Sequence, residues 1–585
     1  MMPVIFILGV SALPLAKNLA EQLDAKIHGP KLIEGIDAGF DNAISHLRQL
    51  FIKRVPIIGL CASGILIRAV APMLGDKKTE PPVVAVAEDG TSVVPLLGGH
   101  KGANRLAKQI SEITKGHAAI TTASELRLGV AYDDLDRQFE LANPEDMKSI
   151  TAAKLAGLGL QADGSWRILP PMNSDDVIET IYRQFSSTGK FVVHPKQLAI
   201  GVGCERGVES RELRDLVENM LVEHNLSEKS VAGVWSIDVK LDESAISDLA
   251  DHFNVSPRFF SAAELQTQEG RLKNPSEQVR QEVGTAGVAE AAALLAAGRN
   301  SELLVEKTKS KRCTVAIALA SDPIYEFVGK ARGIVSVVGI GPGNADMRSW
   351  GVTRTLQEAT DWVGYDLYLD LIQNEKSGEV REHRFPLGDE ETRCRHAIEL
   401  AKAGKRVALV CSGDAAIYAM AALVYELIDR EPNRIKVEVH PGISAFQAAS
   451  AKAGAMIGHD FCCISLSDLL TPWEAIEKRI KAAAEGDFVI SFYNPRSLKR
   501  RDQLERAFAI LKNHRPPDTP VVVATNLGRP EENVRIGKFS EFDPEEVDML
   551  TLVMVGSSQS KSITRGDGKT YAYTPRGYAT KMDAK

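Results

Sequence analysis

Short apolar runs of β-forming residues alternate with helix-patterned stretches along almost the whole 585-residue chain. A strand that passes to a parallel neighbour needs a crossover, usually a helix, so this alternation predicts α/β domains with mostly parallel sheets. Strands fit at 3–8, 55–60, 83–87 and 118–122, with a helix over GANRLAKQISEITK (102–115). A second unit opens at LAIGVGCERG (198–207), with strands at 231–239 and 257–260. A helix follows GTAG (284–287), and strands at 303–306 and 314–319 close the unit. The pattern restarts at 334, with strands at 334–338, 406–411 and 435–439, then at 461–466, 487–492, 520–524 and 551–555.

At about 100–200 residues per domain, the length predicts about three to five domains. The alternation divides the chain into an N-terminal α/β domain (1–125), a more polar connector or insert domain (126–196) and a second α/β domain (197–320). The linker SDPIYEFVGKARG (321–333) leads to two further α/β domains, 334–445 and 446–585.

Composition narrows the function classes. The apolar fraction of 44% and charged fraction of 25% are ordinary for a globular protein. Net charge is −7 and no basic tail occurs, so no global field attracts nucleic acid or an anionic membrane. Seven cysteines occur without a CxxC pair, which predicts buried thiols in a reducing compartment and no metal site. The opening MMPVIFILG lacks the charged start of a signal peptide and reads as a buried first strand. No run of 18 apolar residues is present, and a cytoplasmic location is expected.

The segment VSVVGIGPGN (335–344) runs from a strand into a loop with Gly339, Gly341 and Gly343. A dinucleotide fingerprint needs its third glycine at 344, which is Asn344, and Pro342 removes one amide donor. A pyrophosphate cradle depends on such donors. A glycine turn with reduced donor capacity suits a ligand without phosphate, and S-adenosylmethionine is one.

The pattern GxGPG after a first strand resembles the tetrapyrrole methylase family. VALVCSGDAAIYAMAALVYEL (407–427), VEVHPGISAFQAASAKAGAMIGHDF (437–461), ISLSDLLTPWEAIEKRI (464–480), FVISFYNPRSLKRRDQLERA (488–507), VVVATNLGRPEENV (521–534), LVMVGSSQS (552–560) and YTPRGY (573–578) follow in family order. LSDLLTPW and FYNPRS look like precorrin-3B C(17)-methyltransferase, the ring-contracting enzyme of cobalamin biosynthesis. One departure is Ala415, where the family has proline after Gly413-Asp414. The resemblance implies a two-domain methylase fold with S-adenosylmethionine in the interdomain cleft. It places Gly341, Pro342, Gly343, Ser412, Gly413, Asp414, Ile417, Ser444, Ala445, Tyr493, Leu527 and Ser557 around that cofactor. Ring contraction requires a hydroxyl to lose its proton, and His440, His459 and Asp468 are candidates to take it. Asn494, Arg496 and Arg500 suit carboxylate recognition, arginine by bidentate pairing. A homodimer through this half is expected.

IIGLCASGILIRAVAPML (57–74), VVAVAEDGTSVVPLLGGHKGANRLAKQI (83–110) and AAITTASE (118–125) resemble the N-terminal domain of the cobalt-precorrin-5A hydrolase family. IGVGCERG (200–207), SIDVKLDE (236–243), RFFSAAEL (258–265) and TAGVAEAAAL (285–294) resemble its C-terminal domain. That family opens a lactone on the ring-contracted tetrapyrrole and releases a two-carbon aldehyde. Lactone opening needs an activated water and an oxyanion site. His100 is the base candidate, with Lys101 and Asn104 beside it, and Ser63 and Gly64 supply oxyanion contacts at a helix start. Cys204 and Arg206 end a strand where α/β sheets bind ligands.

The expectation is a bifunctional corrin-biosynthesis enzyme whose halves methylate C-17 and open the lactone. The alternative is an active methylase fused to a non-catalytic tetrapyrrole-binding module. The expected methylase substrate is precorrin-3B or its cobalt form.

Overall fold

The computed structural model describes residues 2–75, 80–121, 138–142, 158–160, 166–168, 177–184, 191–376, 380–496 and 501–578. The chain forms two compact units, Met1–Arg332 and Gly333–Lys585.

The first unit opens with a seven-stranded sheet. Its order is Ala38–Phe40, Lys26–Pro30, Val4–Ile7, Ile57–Leu60, Val83–Val86, Ser92–Leu97, His117–Ala118. Alternate residues of Val4–Ile7 enter two cores. Ile5 and Ile7 pack with Ile58, Leu60 and Val84, whereas Val4 and Phe6 pack with Ile57, Val83 and Ala85. Helices therefore cover both faces, which is why the strand reads as an unbroken apolar run. All neighbouring pairs are parallel except Val83–Val86 with Ser92–Leu97, which is antiparallel.

In the 126–196 region, Val177–Glu179, Phe191–Pro195 and Phe139–Leu141 form a three-stranded sheet. The next sheet has the order Arg258–Phe260, Val231–Ile237, Leu198–Cys204, Cys313–Leu319, Glu302–Lys309. Its first three strands are parallel and its last two join antiparallel. The small-residue helix Ala289–Ala297 lies almost wholly buried against it, within a core that includes Ala199, Trp235 and Ala316.

The second unit begins with a wholly parallel sheet, ordered Arg381–Phe385, Asp361–Tyr365, Arg406–Cys411, Ile334–Gly339, Lys436–His440. Three glycine-bearing loops leave the carboxyl ends of Ile334–Gly339, Arg406–Cys411 and Lys436–His440, the end of a parallel sheet where ligands bind. A second five-stranded sheet follows, ordered Phe461–Ser465, Val489–Tyr493, Thr551–Val555, Pro520–Thr525, Asn533–Lys538. The α/β class is the one expected, but this last sheet is mixed: one pair is parallel and three are antiparallel. The short reversal from Thr525 to Asn533 leaves no room for a crossover helix and makes an antiparallel pair. A small sheet of Gly454–Ala455, Thr570–Tyr573 and Lys561–Thr564 completes the unit.

Candidate active site

The glycine loop of the opening strand is tied to the second loop of its sheet. Gly341 N donates to Gly413 O (3.1 Å) and Gly413 N donates to Gly341 O (2.8 Å). Both glycines have φ in the left-handed region, 78° and 65°. Ile340 N donates to Cys411 O (2.9 Å), and Pro342 has no amide hydrogen. The amides at 340 and 341 are thus committed to protein, and a pyrophosphate would find three consecutive positions without a free donor.

The third loop joins by close approach. A Cβ at Gly442 would lie 2.1 Å from Gly413 O and 2.4 Å from Gly339 O, so only glycine fits there. Asp414 fastens the contact: one carboxylate oxygen accepts from Gly442 N (3.1 Å) and the other from Ala416 N (2.9 Å).

These loops wall a cavity of about 330 Å³, whose opposite side comes from the mixed sheet. Of the residues expected around a cofactor, Pro342, Ser412, Gly413, Asp414, Ile417, Ser444, Ala445, Tyr493 and Leu527 line it. Gly341 stands behind it in the loop pairing, and Gly343 packs where a Cβ would meet Gly528 O at 2.5 Å. Ser557 lies elsewhere, in a buried hydroxyl chain in which Ser560 Oγ contacts Ser557 Oγ (3.3 Å) and Thr574 Oγ1 (2.7 Å).

Asn494 lines the cavity and donates to Ser465 Oγ (3.1 Å). Arg496 is committed elsewhere, to Pro544 O (3.0 Å) and Glu545 (2.5 Å). Arg500 lies outside the described residues. None of the three proton-acceptor candidates is in the lining. His440 sits 3.5 Å from Glu438, His459 is an exposed neighbour of Asp460 at 3.0 Å, and Asp468 accepts from Gln503 Nε2 (2.9 Å).

Sequence reading missed several lining groups. Tyr368 lines the wall, and burial raises its phenol above the usual range, partly offset by the charge of Arg529. Burial likewise raises Tyr493, whose hydroxyl accepts from Phe446 N (3.3 Å). Tyr418 donates to Cys463 O (2.8 Å). Arg529 lines the cavity, with Nε donating to Pro342 O (3.2 Å) and Nη2 to Ser412 Oγ (3.1 Å). Its signal was present in NLGRPEE, but nothing in a lone sequence shows that this loop reaches back to Pro342.

A Cβ at Gly413 would point toward Ser444 Cα and Ala445 N, 3.9 and 4.0 Å away, with nothing nearer. The cavity thus has a bare backbone floor at Gly413, aromatic and aliphatic walls, and no free amide at residues 340–342 or 413. This donor set fits a nucleoside cofactor without phosphate.

In the first unit, Ser63 and Gly64 begin the helix Ser63–Val70 at the carboxyl end of Ile57–Leu60. His100 lies in the short turn Gly99–Lys101, before the helix Ala103–Thr114 in which Asn104 is buried; Lys101 is exposed. The sheet register separates the two groups. Leu60 pairs with Val86, but Leu97 pairs with Val83, and a Cβ at Gly98 would meet Pro81 O at 2.6 Å. Ser63 therefore sits at the carboxyl edge and His100 at the amino edge, about 10 Å of strand apart. The expected single constellation of His100 with Ser63 and Gly64 is not assembled, because Ser92–Leu97 runs antiparallel.

Cys204 ends its strand opposite Cys313, its thiol pushed up to about 12 chiefly by burial. Arg206 donates to Asp242 (2.7 Å) and Val239 O (2.8 Å). Among the described residues, no helix is long and apolar enough to cross a membrane, and no group of three or more His, Cys, Asp or Glu side chains could hold a metal.

Comparison with known proteins gives three matches along the chain. Residues 45–125 match the family described as Cobalamin synthesis G N-terminal, and residues 198–318 its C-terminus. Residues 335–543 match Tetrapyrrole (Corrin/Porphyrin) Methylases. A Salmonella typhimurium protein named for cobalt-factor III C(17)-methyltransferase is 46% identical over 245 residues, 42% of this chain and 99% of that protein. The cobalamin biosynthesis protein CobIJ of Mycobacterium bovis is 41% identical over 250 residues, 42% of this chain but only 48% of that protein. The crystal structure of the methyltransferase CobJ shows 39% identity, covering 42% of this chain and 100% of that one, with a TM-score of 0.39. The chain belongs, through its C-terminal half, to the tetrapyrrole methylase family that includes the cobalt-factor III C(17)-methyltransferases, and it carries both cobalamin synthesis G domains ahead of that half.

Proposed function

We propose that the C-terminal half transfers a methyl group to C-17 of a ring-contracting tetrapyrrole, precorrin-3B or its cobalt form, and that the N-terminal half opens the lactone formed in that sequence, releasing an aldehyde. The observation that carries the first part is the cavity at the joined glycine loops, in a stretch 46% identical to nearly the whole of a protein named for that reaction. The two cobalamin synthesis G matches support the second part.

S-adenosylmethionine would be held by Pro342, Ser412, Gly413, Ile417, Ser444, Ala445, Tyr493 and Leu527, and when bound it supplies an electrophilic methyl group. The chain contributes position and dryness. Gly413 permits close backbone approach, and Ile417, Tyr493 and Leu527 exclude water. Asp414 holds the second and third loops in register through Gly442 and Ala416. Cytoplasmic location and a homodimer through the methylase half belong to the same reading, as do domain boundaries near 125, 196, 320, 333 and 445.

One observation favours a second reading of the N-terminal half, as a tetrapyrrole-binding module without catalysis. The antiparallel register puts His100 and Ser63 at opposite sheet edges. The test is to incubate the full chain with precorrin-3B and with cobalt-factor III, plus S-adenosylmethionine, and to identify products by mass. A product heavier by one CH2, a methyl gained and a proton lost, supports the first part. Aldehyde release from cobalt-precorrin-5A supports the second, and its absence with intact methylation favours the binding module.

A further inference from the structure

We propose that Arg529 reads a carboxylate in the cleft, and that this duty falls to it rather than to Arg496. The inference rests on the methylase reading of the cavity and names a group that fixes a ligand within it.

A guanidinium has five N–H donors in a planar fork. In Arg529, Nε donates to Pro342 O and one Nη2 hydrogen to Ser412 Oγ. Nε and Nη2 share one edge of the plane, so that edge is spent on the first and second loops. The end edge, formed by Nη1 and the second Nη2 hydrogen, meets no acceptor among the described residues. Asp414, the carboxylate in the lining, is occupied by two backbone amides and does not pair with it. The side chain is half-buried and lines the cavity beside Tyr368. A cation anchored along one edge, with its end edge free and no carboxylate among the described residues paired with it, matches a bidentate carboxylate. Arg496, by contrast, has its guanidinium taken by Pro544 O and Glu545.

Two ligands of the proposed reaction carry carboxylates: the amino-acid end of the cofactor, and the side arms of the macrocycle. The full chain and its Arg529→Met variant distinguish them. Each is titrated calorimetrically with S-adenosylhomocysteine and with 5′-methylthioadenosine, which lacks the amino-acid end. Each is also assayed for macrocycle KM. If the cofactor carboxylate is read, the variant loses about 10–100-fold in S-adenosylhomocysteine affinity and none for methylthioadenosine. If a side arm is read, both nucleosides bind as before and the macrocycle KM rises about tenfold or more at unchanged kcat. The proposal is overturned if both nucleosides weaken equally, which marks Arg529 as a loop clamp only, or if neither affinity nor KM moves. Arg529→Gln, which keeps an amide donor for the Pro342 carbonyl, is read the same way should the methionine variant not fold. Failure of the wild-type chain to bind S-adenosylhomocysteine would count against the methylase reading itself, not against the role of Arg529 within it.

Discussion

Gly341 and Gly413 exchange a pair of backbone hydrogen bonds, 3.1 and 2.8 Å long, across two loops separated by about seventy residues of chain. The pairing turns two turns into one floor. It also explains why a loop that looks like a nucleotide fingerprint lacks the amides to serve as one.

Gly413→Ala should test that floor. A side chain at φ 65° costs about 1–2 kcal/mol, and the new methyl group would point toward Ser444 and Ala445. The variant is expected to fold, to melt a few degrees lower, and to bind S-adenosylhomocysteine at least about tenfold more weakly by calorimetry. Unchanged affinity would show that the ligand does not lie on this floor.

Much of this fold was legible because buried parallel strands read as plain apolar runs. Val4–Ile7, Ile57–Leu60, Ile334–Gly339 and Arg406–Cys411 all stood out. Three other strands did not: Asn533–Lys538 is largely exposed, Lys26–Pro30 contains glycine and proline, and Ser92–Leu97 carries Pro95. Missing Ser92–Leu97 had a consequence, because its antiparallel direction carries His100 to the amino edge of the sheet. In the cleft, the glycine loops and Tyr493 were legible as motif members. Arg529, Tyr368 and Tyr418 were not, since their relevance depends on which loop faces which.

The N-terminal domain should lose stability in mild acid. His28 Nδ1 lies 2.9 Å from His46 Nε2. Burial, then the charge of His46, lowers the His28 pKa from 6.5 to about 3, and burial lowers that of His46 as well. The unfolded chain therefore binds more protons than the folded one between about pH 6.5 and 3. The stabilising contribution is intact above pH 6.5 and is lost as pH falls through that window. Thermal melts of the full chain at pH 7, 6 and 5 should show the transition of the first unit moving down, and His28→Gln should flatten that slope. A slope unchanged in the variant would contradict the assignment.

His100 and Ser63 separate by their effects on aldehyde release. The Ser63 edge offers Glu88, already accepting from Ser11 Oγ (2.9 Å), and the Cys61 thiol, pushed up to about 11 mainly by burial. A neutral imidazole is the better base near pH 7. His100→Ala should lower aldehyde release by about 10²–10⁴-fold and leave methyl transfer unchanged, whereas Ser63→Ala should alter release by less than about threefold. The reverse ranking would move the hydrolytic site to the carboxyl edge.

On the proposed function, the joined glycine loops hold a nucleoside cofactor without phosphate. Calorimetric titration of the full chain with S-adenosylhomocysteine and, separately, with NAD tests it most directly. Saturable binding of S-adenosylhomocysteine, near one per chain, and no heat from NAD is the expected result. Binding of NAD with none of S-adenosylhomocysteine would contradict it.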